Sequence, residues 1–258
     1  MKKRIMWINP IGSSVLDQPI QELLESFKQS DTYIDVVSLK KGPLHLNYHY
    51  YEAHVLVDTL HLVKQAEEEM YDAVVIGCFY DTGLREAREI TDHLVVVAPG
   101  EASLHLAATL GRRISIIVSK AKCIPKMKDN LLGYGFRECI ASFKSANLDV
   151  HEFQKDPKKT CDRLVLLAGE AVKKDMAEVI ILGCTAQFGF FRELQEAIGV
   201  PVIDAVAAPL KYAELLIELK RQFRWSHSKA YTYQGPPKEE MGLLTRDEQC
   251  GFLEHPGS

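Results

Sequence analysis

Along this chain, compact apolar runs alternate with longer stretches in which apolar positions recur at helical spacing. The runs cover residues 4–8, 34–38, 73–77, 94–98, 114–118, 179–183 and 200–204, and are rich in Val and Ile, which fit a pleated surface. Between them, a period of 3.6 predicts helices over residues 19–29, 53–70, 83–91, 101–110, 125–134, 161–175, 190–198 and 209–223. Strands that are apolar nearly throughout are buried on both faces, as in parallel sheets covered by helices. The predicted class is therefore α/β.

The alternation hides a repeat. The segment AVVIGCFYDTGLREAREITDHLVVVAPGEA, from Ala73, aligns with VIILGCTAQFGFFRELQEAIGVPVIDAVAA, from Val179. In both, four apolar residues precede Gly-Cys, a further Gly follows five places after the Cys, and a helix and a strand come next. Matching entry strands lie upstream, RIMWINP before the first and ISIIVSK before the second. The pattern predicts two pseudo-symmetric domains, each a parallel sheet flanked by helices, with the active site in the cleft between them. Residues 1–110 form the first half, carrying Cys78, and residues 111–209 the second, carrying Cys184. A helix over 210–225 is expected to pack back on the first half, and 226–258 to form a C-terminal arm or tail, docked through Trp225, Tyr231 and Tyr233 on the body or on another subunit, with disorder as the competing reading.

Composition narrows the function classes. A formal net charge of -4 supplies no attraction for nucleic acid or an anionic membrane surface. The opening MKKRIMWINPIGSS is basic and then apolar, but Asn9-Pro10 breaks the run too early for a signal peptide. No stretch approaches the roughly 18 apolar residues of a membrane span. A cytoplasmic protein is expected, with a small-molecule substrate, no nucleic-acid or membrane partner, and assembly as a homo-oligomer. Six cysteines are scattered without a CxxC pair or zinc-ligand spacing, which suits reduced thiols and no metal site.

Two of those cysteines stand apart. Cys78 and Cys184 close equivalent strands at the carboxyl end, where open parallel sheets bind ligands. The Gly before each allows close backbone approach or unusual dihedrals, and a nearby helix N-terminus is expected to favour the thiolate. Racemisation needs a base on one face of a carbon acid and a proton donor on the other, and a thiolate facing a thiol meets that need. A redox disulfide and two buried structural cysteines are the competing readings. Asn9, Ser13 and Ser14 lie at the first strand end and Ser119 at the second, offering donors to a substrate. Phe79 and Tyr80 offer an apolar wall. Asp81 and Glu101 are given no catalytic role, since a carboxylate beside a thiolate opposes it. Arg85, Arg88 and Arg192 are read as solvated.

These residues carry a family resemblance. GCFYDTGLREAREI is similar to the first-cysteine motif of the hydantoin racemases, PGEASLHLAATLGRRISIIVS to the segment that follows it, INPIGSS to that family's opening strand end, and ILGCTAQF to its second-cysteine motif. Over about residues 4–220 the chain resembles the aspartate/glutamate/hydantoin racemase superfamily, nearest to the hydantoin and allantoin racemases. The resemblance implies two α/β domains, no cofactor, a substrate held between them, and Cys78 and Cys184 as the acid/base pair. Thr185, after the second cysteine, is as in the amino-acid racemase branch, and Tyr80 and Thr82 also depart from the hydantoin pattern. Racemisation of a 5-substituted hydantoin or related ureide is the leading expectation. Racemisation of an acidic amino acid, decarboxylation or cis-trans isomerisation, and a non-enzymatic ligand sensor are the alternatives.

Overall fold

Strands and helices alternate through the computed structural model, which describes residues 2–237, 239 and 240. Strands β1 (Lys3–Asn9), β2 (Thr32–Ser38), β3 (Ala73–Ile76) and β4 (Val95–Val97) form one sheet in the order β2-β1-β3-β4. Strands β5 (Ile114–Val118), β6 (Ile140–Ser145), β7 (Val179–Leu182) and β8 (Val202–Ile203) form a second in the order β6-β5-β7-β8. All pairings are parallel. Adding four to each strand number turns the first order into the second, so the repeat in the sequence is also one of topology.

The helices are α1 (Asp17–Phe27), α2 (His49–Glu68), α3 (Leu84–Ile90), α4 (Pro99–Leu110), α5 (Ile124–Tyr134), α6 (Pro157–Asp175), α7 (Phe191–Ile198) and α8 (Ala207–Phe223). Each lies where periodicity predicts one, with ends shifted by a few residues. The largest shifts are at α2 and α6, which start at His49 and Pro157, each four residues ahead of the predicted start.

The central strands β3, β5 and β7 are buried at every position, as their apolar runs require. Strand β6 is absent from the sequence expectation, and its position explains the omission. It is an edge strand whose six residues are all partly exposed, so IASFKS shows no apolar run. The two sheets share a core: Leu39, Phe79, Leu104 and Ala107 of the first half cluster with Ile114, Ile116, Val179 and Ile181 of the second. Helix α8 returns to the first sheet, placing Val206, Leu210, Ala213 and Ile217 against Ile5, Trp7, Val75 and Val97.

The arm folds back on its own chain and seals the edge strand β4. The backbone N–H of Val96 donates to His227 Nε2 at 3.0 Å, and the Val96 carbonyl accepts from Arg88 Nη2 at 3.0 Å. An open sheet edge is a template for unwanted pairing, and these two side chains close it. Arg88 is thus not solvated as expected. It is buried and paired with both carboxylate oxygens of Glu101, and Tyr233 of the arm lies against it, 5.9 Å from guanidinium carbon to ring centroid. Of the three aromatic anchors expected, Tyr233 docks beside Arg88, Trp225 is exposed with its ring 5.0 Å from that of Phe223 at the end of α8, and Tyr231 is exposed. Residues 241–258, including Cys250, lie outside the described residues.

Burial, then the nearby Arg88 charge, push the His227 imidazole down to about 4, which keeps Nε2 free to accept. A depressed folded-state value means the unfolded or undocked arm binds the extra proton first, so docking is fully present above about pH 6.5 and is lost as pH falls towards 4. Amide exchange at Val96, corrected for its intrinsic pH dependence, should accelerate across that window. His227→Leu should abolish the pH dependence, and an unchanged profile in that variant would contradict the assignment.

Candidate active site

The site is built on two copies of one turn. At the end of β3, the Gly77 N–H donates to the Ile8 carbonyl at 2.7 Å; at the end of β7, the Gly183 N–H donates to the Ile117 carbonyl at 2.8 Å. Three residues after each cysteine the chain closes in the same way, Asp81 N–H to the Cys78 carbonyl at 2.9 Å and Gln187 N–H to the Cys184 carbonyl at 2.9 Å. The glycines serve close approach and not unusual dihedrals. A Cβ on Gly77 would meet the Trp7 indole at 2.4 Å, and one on Gly183 would meet Ile116 at 2.6 Å. The glycine five places after each cysteine is the one that needs a left-handed backbone, with φ of 72° at Gly83 and 88° at Gly189.

Cys78 and Cys184 line the same cavity, which encloses about 590 Å³ of empty space, part of it open to solvent. The two turns are joined across the halves: the Thr185 hydroxyl donates to the Gly77 carbonyl at 3.2 Å. Both cysteines are free thiols, half-buried and facing the cavity. Burial pushes each thiol up to about 12, and backbone N–H groups oppose it, from Tyr80 at Cys78 and from Ala186 and Gln187 at Cys184. These loop amides take the part expected of a helix N-terminus. Helix α3 begins only at Leu84 and α7 at Phe191, while a single 3₁₀ turn, Thr185–Gln187, follows Cys184.

Of the other residues expected at the site, Asn9, Phe79, Tyr80, Ser119 and Thr185 line the cavity, and Ser13 and Ser14 do not. The two serines shape the turn into α1: Ser13 Oγ accepts from the Val15 N–H at 3.4 Å, and the Ser14 carbonyl from the Asp17 N–H at 3.0 Å. Asn9 Oδ1 accepts from Trp7 Nε1 at 2.7 Å and its Nδ2 donates to Asp17 at 2.6 Å, which fixes the amide and leaves one N–H unspent. Ser119 Oγ lies 3.4 Å from Cys123 Sγ.

Asp81 is a clamp: its carboxylate accepts from the N–H groups of Gly100 and Glu101, both at 2.7 Å, at the start of α4, and from the Tyr134 hydroxyl at 2.8 Å. That agrees with denying it a catalytic role.

Sequence reasoning missed the loop between β2 and α2, which places Leu44, His45, Leu46 and Asn47 on the cavity. It also missed Cys123 and Met127, which reach the cavity from the second half. The loop was findable in principle, because every loop that leaves a strand's carboxyl end borders this face.

The raised thiols set an expectation for reactivity. Since the thiolate is the nucleophile, alkylation of Cys78 and Cys184 by iodoacetamide in the substrate-free protein should be slower at pH 7 than that of a free thiol. It should keep rising, about tenfold per pH unit, beyond the pH of about 8.5 at which a free cysteine levels off. A plateau below pH 9 at both residues would contradict the burial argument.

Residues 5–213 match the family described as Asp/Glu/Hydantoin racemase. The chain is 34% identical to the hydantoin racemase of Pseudomonas sp. (strain NS671), covering 93% of this chain and 95% of that one, and 34% identical to the hydantoin racemase of Paenarthrobacter aurescens, covering 92% and 99%. In structure it is similar to the allantoin racemase from Klebsiella pneumoniae, with a TM-score of 0.85 and 28% identity over 92% of this chain and 94% of that one. Two repeated Gly-Cys turns facing one cavity, on a chain matched from near its start to α8, settle the relationship: the chain belongs to the Asp/Glu/hydantoin racemase family of isomerases.

Proposed function

We propose that the protein is a cofactor-independent racemase that moves a carbon-bound proton between Cys78 and Cys184, and that its substrate is a 5-substituted hydantoin or a related cyclic ureide. The observation that carries this reading is the pair of thiols on equivalent turns, one from each half, lining one cavity. One thiolate removes the proton from the ring carbon beside the carbonyl, and the electron pair moves into that carbonyl. The opposite thiol then gives its proton to the other face of the same carbon. The enzyme is left with thiol and thiolate exchanged, and proton exchange with water resets it.

The lining supports a neutral ring over an acidic amino acid. Ile11, Leu16, Leu44, Leu46, Phe79 and Met127 make the wall largely apolar, and among the described residues neither lysine nor arginine lines it. A second carboxylate would enter without a cation to meet it. Thr185, the residue that points towards the amino-acid branch, spends its hydroxyl proton on the Gly77 carbonyl. Asn9, Asn47 and Ser119 remain to meet the ring's carbonyl and N–H groups.

Burial makes the thiolate the minor form in the empty site, so activity depends on a small competent fraction. The rate should therefore rise as pH increases from 6 to 9. Polarimetry on single enantiomers of alkyl- and aryl-substituted hydantoins, beside aspartate and glutamate, tests the substrate class. Loss of rotation with the hydantoins alone is expected, and racemisation confined to the amino acids would overturn that assignment. Cys78→Ser and Cys184→Ser should each lower racemisation by at least about a thousandfold, because an alcohol is a far weaker acid than a thiol. Dialysis against a chelator should leave the rate unchanged.

A further inference from the structure

Helix α5 belongs to the second half, yet one polar stripe of it is spent on the first. Residues four apart in a helix share a face, and Lys126, Asn130 and Tyr134 make such a row. Asn130 Nδ2 donates to the Tyr80 carbonyl at 2.7 Å, and the Tyr134 hydroxyl donates to the Asp81 carboxylate at 2.8 Å. Lys126 pairs with Glu52 of α2 at 2.8 Å, and the same carboxylate oxygen is hydrogen-bonded to Thr82 Oγ1 at 3.0 Å. Tyr80, Asp81 and Thr82, which follow Cys78 in the loop, are thus tied to one face of α5, the third of them through Glu52. On the other side of the cysteine, the Thr185 hydroxyl holds the Gly77 carbonyl. Cys78 is therefore flanked on both sides by bonds from the half that carries Cys184.

The loop needs this hold. Asp81 has a φ of 53°, in the left-handed region that most side chains avoid, and such a residue persists only where its surroundings fix it. Its carboxylate spans α4, through the Gly100 and Glu101 amides, and α5, through Tyr134. The repeat does not share the device. In the second half Gln187 stands at the position of Asp81, and among the described residues its side-chain amide has no hydrogen-bond partner. The Cys184 loop is held from within its own half, where Gln154 Nε2 donates to the Ala186 and Phe188 carbonyls at 3.0 and 3.2 Å.

Resting on the two-thiol reading above, we propose that Asn130 and Tyr134 are positioning residues that grip the Cys78 loop from the opposite half and so fix the separation of the two sulfurs. Both thiols must reach one carbon at once, and a misplacement of about 1 Å can cost about a hundredfold in rate. The apolar core shared by the halves sets that separation coarsely, because such contacts have no preferred direction. Hydrogen bonds to the residues two and three places after Cys78 set it finely. Neither Asn130 nor Tyr134 lines the cavity, so each acts through the loop and not on the substrate.

The test reads the sulfurs in the full-length, substrate-free protein. Alkane bis-methanethiosulfonates with spacers of increasing length are offered in turn. Mass spectrometry of the peptides then separates Cys78–Cys184 cross-links from those of Cys123. One spacer length should dominate in the unaltered protein. Asn130→Ala and Tyr134→Phe should each spread the cross-link over several lengths and lower kcat about tenfold, with KM within about twofold. Together they should lower kcat about a hundredfold. Leu131→Val is the control, since it thins the packing of the same helix and leaves both bonds in place. It should lower the melting temperature at least as much as Tyr134→Phe, yet keep the spacer preference and hold kcat within about twofold.

An unchanged spacer preference or an unchanged kcat in both variants would overturn the proposal. So would an equal spread and an equal loss of kcat in Leu131→Val, or the lack of any preferred spacer in the unaltered protein. The cross-links are read without turnover. They stay distinct from failure of the two-thiol reading, which would show as full racemase activity in Cys78→Ser or Cys184→Ser.

Discussion

The sulfurs of Cys78 and Cys184, which line the cavity, are each carried by a turn pressed so closely against the neighbouring strand that its first residue has no room for a side chain. At Gly77 the space is taken by the Trp7 indole and at Gly183 by Ile116. Trp7 is among the most buried large side chains, and its Nε1–H fixes Asn9, which lines the cavity. The hydrophobic core and the site are therefore one construction. The packing that buries Trp7 also sets how far Cys78 projects, and any side chain at Gly77 would have to displace both. The second turn repeats the arrangement with a smaller partner, and Thr185 ties the two together through the Gly77 carbonyl. The spacing of the two thiols is set by contacts in both halves and by the apolar core they share.

That construction creates a tension the chemistry must live with. A cavity walled by leucines, isoleucine, methionine and phenylalanine suits a largely apolar ring, but it penalises the thiolate that would remove the proton. Hydrogen-bond donors offset part of the penalty, the Ala186 and Gln187 amides at Cys184 and the Tyr80 amide with the Thr82 hydroxyl at Cys78.

The sequence made the site's skeleton readable because its main features are local and repeated. Central strands announce themselves as unbroken apolar runs, and Gly-Cys at the end of two of them marks the turns. The misses share a physical cause, which is dependence on distant partners. Strand β6 is an edge strand whose six residues are all partly exposed, so it shows no unbroken apolar run. Arg88 reads as an exposed helical arginine, yet it is buried because Glu101 and the arm meet it there. Ser13 and Ser14 have the chemistry of ligand donors but are held in the turn that starts α1. Glu52 lies 30 residues before Thr82, and nothing in its neighbours along the chain hints that the two meet in the core.

The central claim is that two different sulfurs serve opposite faces of one carbon. It is tested most directly by racemising a single enantiomer of a hydantoin substrate in heavy water and following deuterium in both enantiomers at early times. The account predicts deuterium in the product from the first turnovers while the remaining substrate stays unlabelled, because the proton removed by one thiol is not the one delivered by the other. Product that forms with its original proton, or early labelling of the remaining substrate at the same rate as the product, would mean a single group works both faces and would contradict it.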